Sequence, residues 1–448
     1  MTENSESPVG AIADDAPRRA ALRRRQILTV VLLFLGYAAY YFCRVDLSVA
    51  TPLLIDELQT HGFTSQHALV RIGDMSSAGV LAYALGKLFL GGLGDLWGGR
   101  RSFLIGLGGA TVFTLMFVSG GMLPIFTIAW IGNRLTQSIG WAGLLKICSR
   151  WFNYSSYGTI IGILSLSYLI GDAGARQSMG ALIQHGYGWR TLFYFAAAVA
   201  ALLFVANFLL LRESRADSGH AEAEVNPLNL FAGSESRPAT IGELLKPLLR
   251  SRAFVLVCLL SLGCTIVRET FNTWTPVYLR SFVGYSAGRA ASLSAIFPAV
   301  GAVSVIATGW ISDRLGANGR SVVLFLGLLA TAVALGGLIV APAGLTNSAA
   351  PLVLIGVVAF CLIGPYSYLG GAFALDFGGK QAGAASSGII DGIGYLGGVL
   401  AGDTVARISG AFGWQGAFVA LASVSAASAV AAGFLYFQQR RRVTRGAS

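Results

Sequence analysis

The sequence predicts an all-α membrane protein of twelve transmembrane helices, arranged as two pseudo-symmetric six-helix bundles. Three observations lead there: an apolar composition, twelve stretches of bilayer-spanning length, and loop motifs that recur between the two halves. Of the 448 residues, 54% are hydrophobic and only 12% are charged. That is too little charge to cover a soluble protein of this size, so the surrounding solvent is largely lipid. Glycine is abundant at 58 residues, which suits helices that approach closely through small side chains because lipid gives them no hydrophobic reason to associate.

A helix rising 1.5 Å per residue needs about 20 residues to cross roughly 30 Å of hydrocarbon. In the first half such stretches run over 27–54, 71–94, 101–121, 123–150, 156–184 and 190–211. In the second they run over 253–281, 289–312, 321–341, 350–375, 382–408 and 415–437. These define an N-terminal bundle over 27–211 and a C-terminal bundle over 253–437. The segment 212–252 is polar, mixed in charge and carries Pro227, Pro238 and Pro247. It reads as a linker, with a short helix near Ile241–Leu249. Residues 1–26 and the basic stretch 438–448 form the two tails.

The net charge of +11 is distributed for topology rather than for nucleic acid. Arginines cluster in the N-terminal tail (Arg18, Arg19, Arg23, Arg24, Arg25), at the C-terminus (Arg440, Arg441, Arg442, Arg445) and in alternate connections. The positive-inside rule then makes both termini and the linker cytoplasmic, as expected for an inner (plasma) membrane protein. The cysteines Cys43, Cys148, Cys258, Cys264 and Cys361 lie in apolar segments without a CxxC pair, against a disulfide framework or zinc site. His61, His67, His185 and His220 fall in predicted loops. No metal and no cofactor are expected, and the polar N-terminus does not read as a signal peptide.

The halves repeat each other. Gly94-Asp95-Leu96-Trp97-Gly98-Gly99-Arg100-Arg101 follows the second stretch, and Ser312-Asp313-Arg314-Leu315-Gly316 with Arg320 follows the eighth. Gly188-Trp189 precedes the sixth and Gly413-Trp414 the twelfth. The aspartates are offset by 218 residues and the tryptophans by 225, the mark of an internal duplication. An acid among the loop bases is not needed for topology. Asp95, Arg100, Arg101, Asp313 and Arg314 are therefore read as charge pairs that break when the halves move, with plain topology determinants as the alternative.

An ionisable side chain within a span costs at least about 2.5 kcal/mol on insertion scales, so each needs a reason. The bases are Arg44, Lys87, Arg134, Lys146, Arg176 and Arg268; the acids are Asp46, Asp172, Glu269, Asp376, Asp391 and Asp403. Arg44 and Arg268 lie well inside the first and seventh spans, 224 residues apart, and so are equivalents across the repeat. Two guanidinium groups converging on a central axis repel unless an anion lies between them, and their forks suit a tetrahedral oxyanion. Internal pairing with Glu269 or Asp46 is the competing reading, but residues one or two apart on a helix do not face each other. Asp172 and Arg176, spaced i,i+4, read as a structural pair. Tyr37 and Tyr41 share a face with Arg44, and Tyr83 shares one with Lys87.

These residues resemble the organophosphate:phosphate antiporter family of the major facilitator superfamily, which includes glycerol-3-phosphate and hexose-phosphate transporters. The resemblance runs through Gly36-Tyr37-Ala38-Ala39-Tyr40-Tyr41 with Arg44, Tyr83 with Lys87, and Gln137 with Gly140-Trp141, Lys146 and Arg150-Trp151. It continues through Arg268 with Trp274-Thr275-Pro276-Val277-Tyr278-Leu279 and through Gly394-Tyr395-Leu396-Gly397-Gly398. The loop motif is that of the wider superfamily. The resemblance implies that Arg44 and Arg268 bind phosphate and that Lys87 recognises or gates it. It also implies that Tyr37, Tyr41, Tyr83 and Tyr395 line the path, joined by Lys146 and Asp391 in the expected substrate set. The partners it implies are a phosphorylated small molecule and inorganic phosphate, with the lipid bilayer as surroundings and a monomer as the unit.

Val45 stands where the family often has lysine, Thr273 where it has an acid, and Tyr168 where glycerol-3-phosphate carriers have histidine. Ala142-Gly143-Leu144 replaces Pro-Pro-Cys, and Asp391 is an added acid. The cargo therefore stays open. Secondary transport of a sugar or glycerol phosphate in exchange for phosphate is the expected function. Arg134-x-x-Gln137 also resembles a motif of proton-driven antiporters, which keeps a proton-coupled carrier of another anion or a drug in view, with Asp391 or Glu269 carrying the proton. A membrane sensor of sugar phosphate is the third reading. An enzyme is not expected: no nucleophile–base pairing is present, and Gly106-x-Gly108 lies inside a span rather than in a nucleotide loop.

Overall fold

The computed structural model describes residues 8–90, 98–121, 123–219, 221, 248–315, 319–344, 346 and 348–446, and among these it is helical without a strand. The first half comprises α1 (Pro8–Thr60), α2 (Ser65–Leu90), α3 (Gly99–Ser119), α4 (Leu123–Gln137), α5 (Gly140–Trp151), α6 (Tyr154–Gln184) and α7 (Trp189–Leu210). The second comprises α8 (Arg252–Tyr278), α9 (Ala287–Ser294), α10 (Ile296–Arg314), α11 (Gly319–Val340), α12 (Ala350–Tyr366), α13 (Ala374–Leu400) and α14 (Asp403–Gly446). The pairs α4–α5 and α9–α10 are each one traverse with a local break, so each half crosses six times. Among the described residues, nine stretches are long and apolar enough to cross a membrane. The other traverses are the broken α4–α5, α6, and α13, which merges with α14 into the single stretch Ser386–Gln438. Only helices satisfy every backbone group within the segment, as a bilayer requires.

Several boundaries move from their expected positions, each for a local reason. The helix of α1 begins at Pro8 instead of near 27, so the arginine-rich tail continues it as exposed turns. The tenth traverse ends at Tyr366 rather than 375, because Pro365 lacks an N–H and crowds the preceding turn. A wide π turn over Leu369–Phe373 then leads into α13, which starts earlier than expected and stops at Leu400. The stretch Asp403–Gly446 is two helices joined at Gly413, whose φ of 70° suits a residue without a Cβ, and the second of them carries the twelfth traverse, as expected. His67 lies within α2 rather than in a loop. Most of the predicted linker (222–247), His220 and most of the Ile241–Leu249 helix lie outside the described residues.

Each half has its own apolar core, around Leu33, Phe103 and Phe193 in the first and Phe254, Leu335 and Leu362 in the second. Across the interface α2 packs on α13 and α14, α6 on α9 and α10, and α1 on α8. The duplication is visible in the contacts. Ser48 Oγ donates to the carbonyl of Asn272 at 2.8 Å and Asp56 pairs with Arg280 at 2.6 Å, both across the halves at a separation of 224 residues. The two Gly-Trp motifs do matching work: the Trp189 indole donates to Glu57, and that of Trp414 to Ser281 at 3.0 Å. Each ties the last helix of its half to the chain at the end of the first.

The halves meet most tightly at the end away from the chain termini. A Cβ on Gly180 of α6 would come within 2.9 Å of the Gly288 carbonyl, and one on Gly402 within 2.7 Å of the Gly73 carbonyl. Backbone thus lies on backbone at two symmetry-related crossings, which only glycine permits. At the opposite end the halves diverge around a cavity.

Candidate functional site

The cavity lies on the pseudo-two-fold axis and is lined by residues of both halves. It continues toward the end carrying the termini through a second compartment that shares Tyr41, Tyr168, Arg268, Tyr366 and Tyr395 with it. Arg44 from α1 and Arg268 from α8 both line the first compartment, as their equivalence across the repeat predicts.

Arg44 is held by its neighbours in a fixed pose. Its Nε donates to Gln137 Oε1 at 3.1 Å and its Nη1 to the Tyr41 hydroxyl at 3.1 Å. Its guanidinium stacks 4.8 Å from the Tyr41 ring and 4.4 Å from that of Tyr83. Gln137 is oriented in turn, because its amide nitrogen donates to the Cys43 carbonyl at 3.1 Å and to Asn133 Oδ1 at 2.6 Å. Arg268 lies over the rings of Tyr366 and Tyr395 at 4.6 and 5.4 Å. The rings of Tyr83 and Tyr395 meet at 5.0 Å, so an aromatic bridge joins the two arginines. Such faces suit a cation at reduced hydration.

One expectation is corrected here. Arg268 does pair with its neighbour Glu269, at 2.6 Å, because both side chains bend toward the cavity from the α8 surface. Arg44 and Asp46 do not pair: Asp46 accepts from the Leu47 amide at 2.7 Å, and its other oxygen has no partner among the described residues. Asp172 and Arg176 form the expected i,i+4 pair, but it does more than brace α6. Arg176 also donates to the Asn272 carbonyl at 2.7 Å and to Ser294 at 3.2 Å, linking the two halves beneath the cavity.

Lys87 and Asp391 line the second compartment and pair across the halves at 3.7 Å, with Lys87 over the rings of Tyr83 and Tyr395 at 5.3 and 5.1 Å. Tyr37 lines it too, packed on Trp141 at 5.1 Å. Lys146 lines neither compartment; its Cβ lies near Gly99, at the start of α3. The structure adds Gln137, Arg134, Tyr168, Tyr366 and Glu269 to the site. The fourth-span motif pointed at Arg134 and Gln137 and the family comparison at Tyr168. Tyr366 carried no signal in the sequence.

The match to known proteins agrees with this geometry. Residues 33–402 fit the family model described as Major Facilitator Superfamily. The chain belongs to that superfamily. It is 26% identical over 421 residues to a glycerol-3-phosphate transporter of Bacillus subtilis, covering 92% of each chain. It is 25% identical over 409 residues to a probable hexose phosphate transport protein of Chlamydia trachomatis, covering 87% of this chain and 86% of that one. Among solved structures, a D-xylose–proton symporter shares the fold with a TM-score of 0.73 at 13% identity, covering 91% of this chain and 97% of that one. The relatives are consistent with the organophosphate:phosphate antiporter branch. As a member of the superfamily the chain is a multi-pass membrane transporter and not an enzyme.

The superfamily loop motif is built into the N-terminal half. The Glu213 carboxylate accepts from the Gly99 and Arg100 amides at 2.8 and 2.6 Å and pairs with Arg150 at 3.3 Å. Arg100 donates to the Leu211 carbonyl at 2.7 Å and to that of Phe208. This acid just past α7 caps the N-terminus of α3, where the helix dipole favours negative charge. Arg101 is exposed, and Arg314 stacks on Trp310 at 3.7 Å. Asp95 and the Asp313 side chain lie outside the described residues.

Proposed function

We propose that this chain carries a phosphorylated metabolite, a sugar phosphate or a glycerol phosphate, across the plasma membrane in exchange for inorganic phosphate. The observation that carries the reading is the pair Arg44 and Arg268, one from each half at matching positions, lining one cavity. Guanidinium forks can each give paired N–H bonds to a phosphate, and both remain charged when desolvated. The names of the Bacillus subtilis and Chlamydia trachomatis relatives support phosphate esters as cargo. With the arginine-rich tails on the cytoplasmic side, the cavity opens to the cytoplasm and the glycine crossings seal the outer face.

Exchange follows from charge. Without ligand, the net positive charge lining the cavity, four arginines against Asp172 and Glu269, resists closure of the halves around it; a bound phosphate removes that repulsion. A ligand that is held more tightly in the closed intermediate than in the open states lowers the barrier to switching. The unit of transport is one chain.

Proteoliposomes loaded with phosphate are the test. They take up labelled glycerol phosphate or hexose phosphate, and Arg44→Lys or Arg268→Lys abolishes uptake because a point charge replaces a bidentate fork. Normal uptake by either variant defeats the assignment. Uptake that collapses with a protonophore and ignores internal phosphate identifies a proton-coupled carrier instead, and binding without flux identifies a sensor.

A further inference from the structure

A third arginine faces the same cavity, stacked against the rings of Tyr83 and Trp130. Arg134 of α4 is 4% exposed and lines the compartment with Arg44 and Arg268. Its Nε and Nη1 have no hydrogen-bond partner among the described residues. The fold makes room for it: a Cβ on Gly79 of α2 would come within 3.0 Å of Arg134 Cγ and 2.4 Å of the Trp130 indole nitrogen. Its guanidinium lies 5.3 Å from the Tyr83 ring, the same ring that Arg44 stacks on at 4.4 Å.

The charges lining this compartment are Arg44, Arg134, Arg176 and Arg268 against Asp172 and Glu269. Asp172 is taken by Arg176 and Glu269 by Arg268. Asp46 does not line the cavity and bonds to neither remaining arginine. Arg44 and Arg134 are therefore two like charges over one ring, neither in an ion pair of its own among the described residues, and the lining as a whole carries a net +2. A buried charge left without a partner is strongly unfavourable, so the ligand must supply the missing charge.

We propose that Arg134 is a third ligand-binding guanidinium and that, with Arg44, it makes the site select doubly charged phosphate monoesters over singly charged phosphates, phosphodiesters included. This rests on reading the cavity as a phosphate-ester site. A monoester gains its second charge near pH 6 and is close to −2 above pH 7, whereas a diester stays at −1. Protonation of Asp172 or Glu269 at low pH would make the cavity more positive and strengthen anion binding. Loss of affinity on acidification therefore reports the ligand's charge and not theirs.

The experiment is phosphate counterflow in proteoliposomes, with glycerol 3-phosphate and its methyl diester as competitors. For the unmodified protein, the monoester inhibition constant falls about tenfold from about pH 5 to about pH 7.5, following its second ionisation. The diester competes weakly at both. Arg134→Gln flattens the pH dependence to about twofold or less and brings diester and monoester together, while Arg134→Lys keeps much of the preference, as one charge of the ligand is then unmatched only in the glutamine variant. Phosphate counterflow with a monoester constant that ignores pH, or with equal use of the diester, overturns the inference and leaves the phosphate reading intact. So does an Arg134→Gln protein that keeps both preferences. If Arg134→Gln fails to fold, the unmodified protein and Arg134→Lys decide. Absence of counterflow in the unmodified protein defeats the phosphate-exchange reading itself, and the inference with it.

Discussion

Gln137 has both amide protons committed, to Cys43 and Asn133, so its oxygen is fixed toward the Nε of Arg44. A hydrogen bond to a charged group contributes about 1.5–3 kcal/mol. Gln137→Leu should therefore raise the half-saturation constant for phosphate about 10- to 100-fold through the freed guanidinium, while leaving the fold intact. Counterflow kinetics together with a detergent melting curve check this; an unchanged constant would mean that Tyr41 alone orients Arg44. Asp391 is different, because it neutralises Lys87 at the mouth of the same path. The pair is part-exposed, so its loss has a modest effect. Asp391→Asn should tighten phosphate binding by about two- to threefold by freeing Lys87 for the ligand, readable as a lower inhibition constant in the same assay.

At the scale of elements, the two glycine crossings carry the seal. On α6 and α9, Gly180 and Gly288 bring carbonyls where any side chain would sit; between α2 and the start of α14, Gly73 and Gly402 do the same. Gly180→Leu or Gly402→Leu should wedge that end open without touching the arginines. The expected result is phosphate binding within a few-fold of normal but exchange reduced at least about tenfold, since side chains in a glycine crossing block close approach. Cysteine accessibility from the outer face tests it: labelling of a cysteine introduced at Ser294 should rise in the wedged protein. Unchanged labelling with normal exchange would show that the crossing does not gate. The paired indole contacts of Trp189 and Trp414 keep each half rigid while this seal opens and shuts.

For the whole molecule, the phosphate reading makes ligand and stability inseparable. A ligand present at 100 times its dissociation constant adds about 2.7 kcal/mol to the stability of the form that binds it. Saturating phosphate should raise the melting midpoint of the intact protein in detergent and leave Arg44→Gln unmoved. Equal shifts in both would show that phosphate acts elsewhere. Probes on the two halves should also report faster switching when phosphate is present; ligand-independent switching counts against the neutralisation mechanism.

Sequence alone determined the number of traverses, the duplication and the two arginines that share an offset, because apolar length and internal repetition are properties of the chain that lipid reads directly. Helix spacing grouped Tyr37 and Tyr41 with Arg44 and Tyr83 with Lys87, and the family resemblance added Tyr395. The sequence could not tell which charges are already satisfied. The i,i+4 spacing paired Asp172 with Arg176, but Glu269 beside Arg268 and the uncommitted nitrogens of Arg134 look alike as letters in apolar runs. Pairing depends on distances of an ångström or two between helices far apart in the chain, and only the packed bundle sets those distances. The packing set four arginines against two acids along the cavity, and that imbalance of charge is what the proposed phosphate would offset.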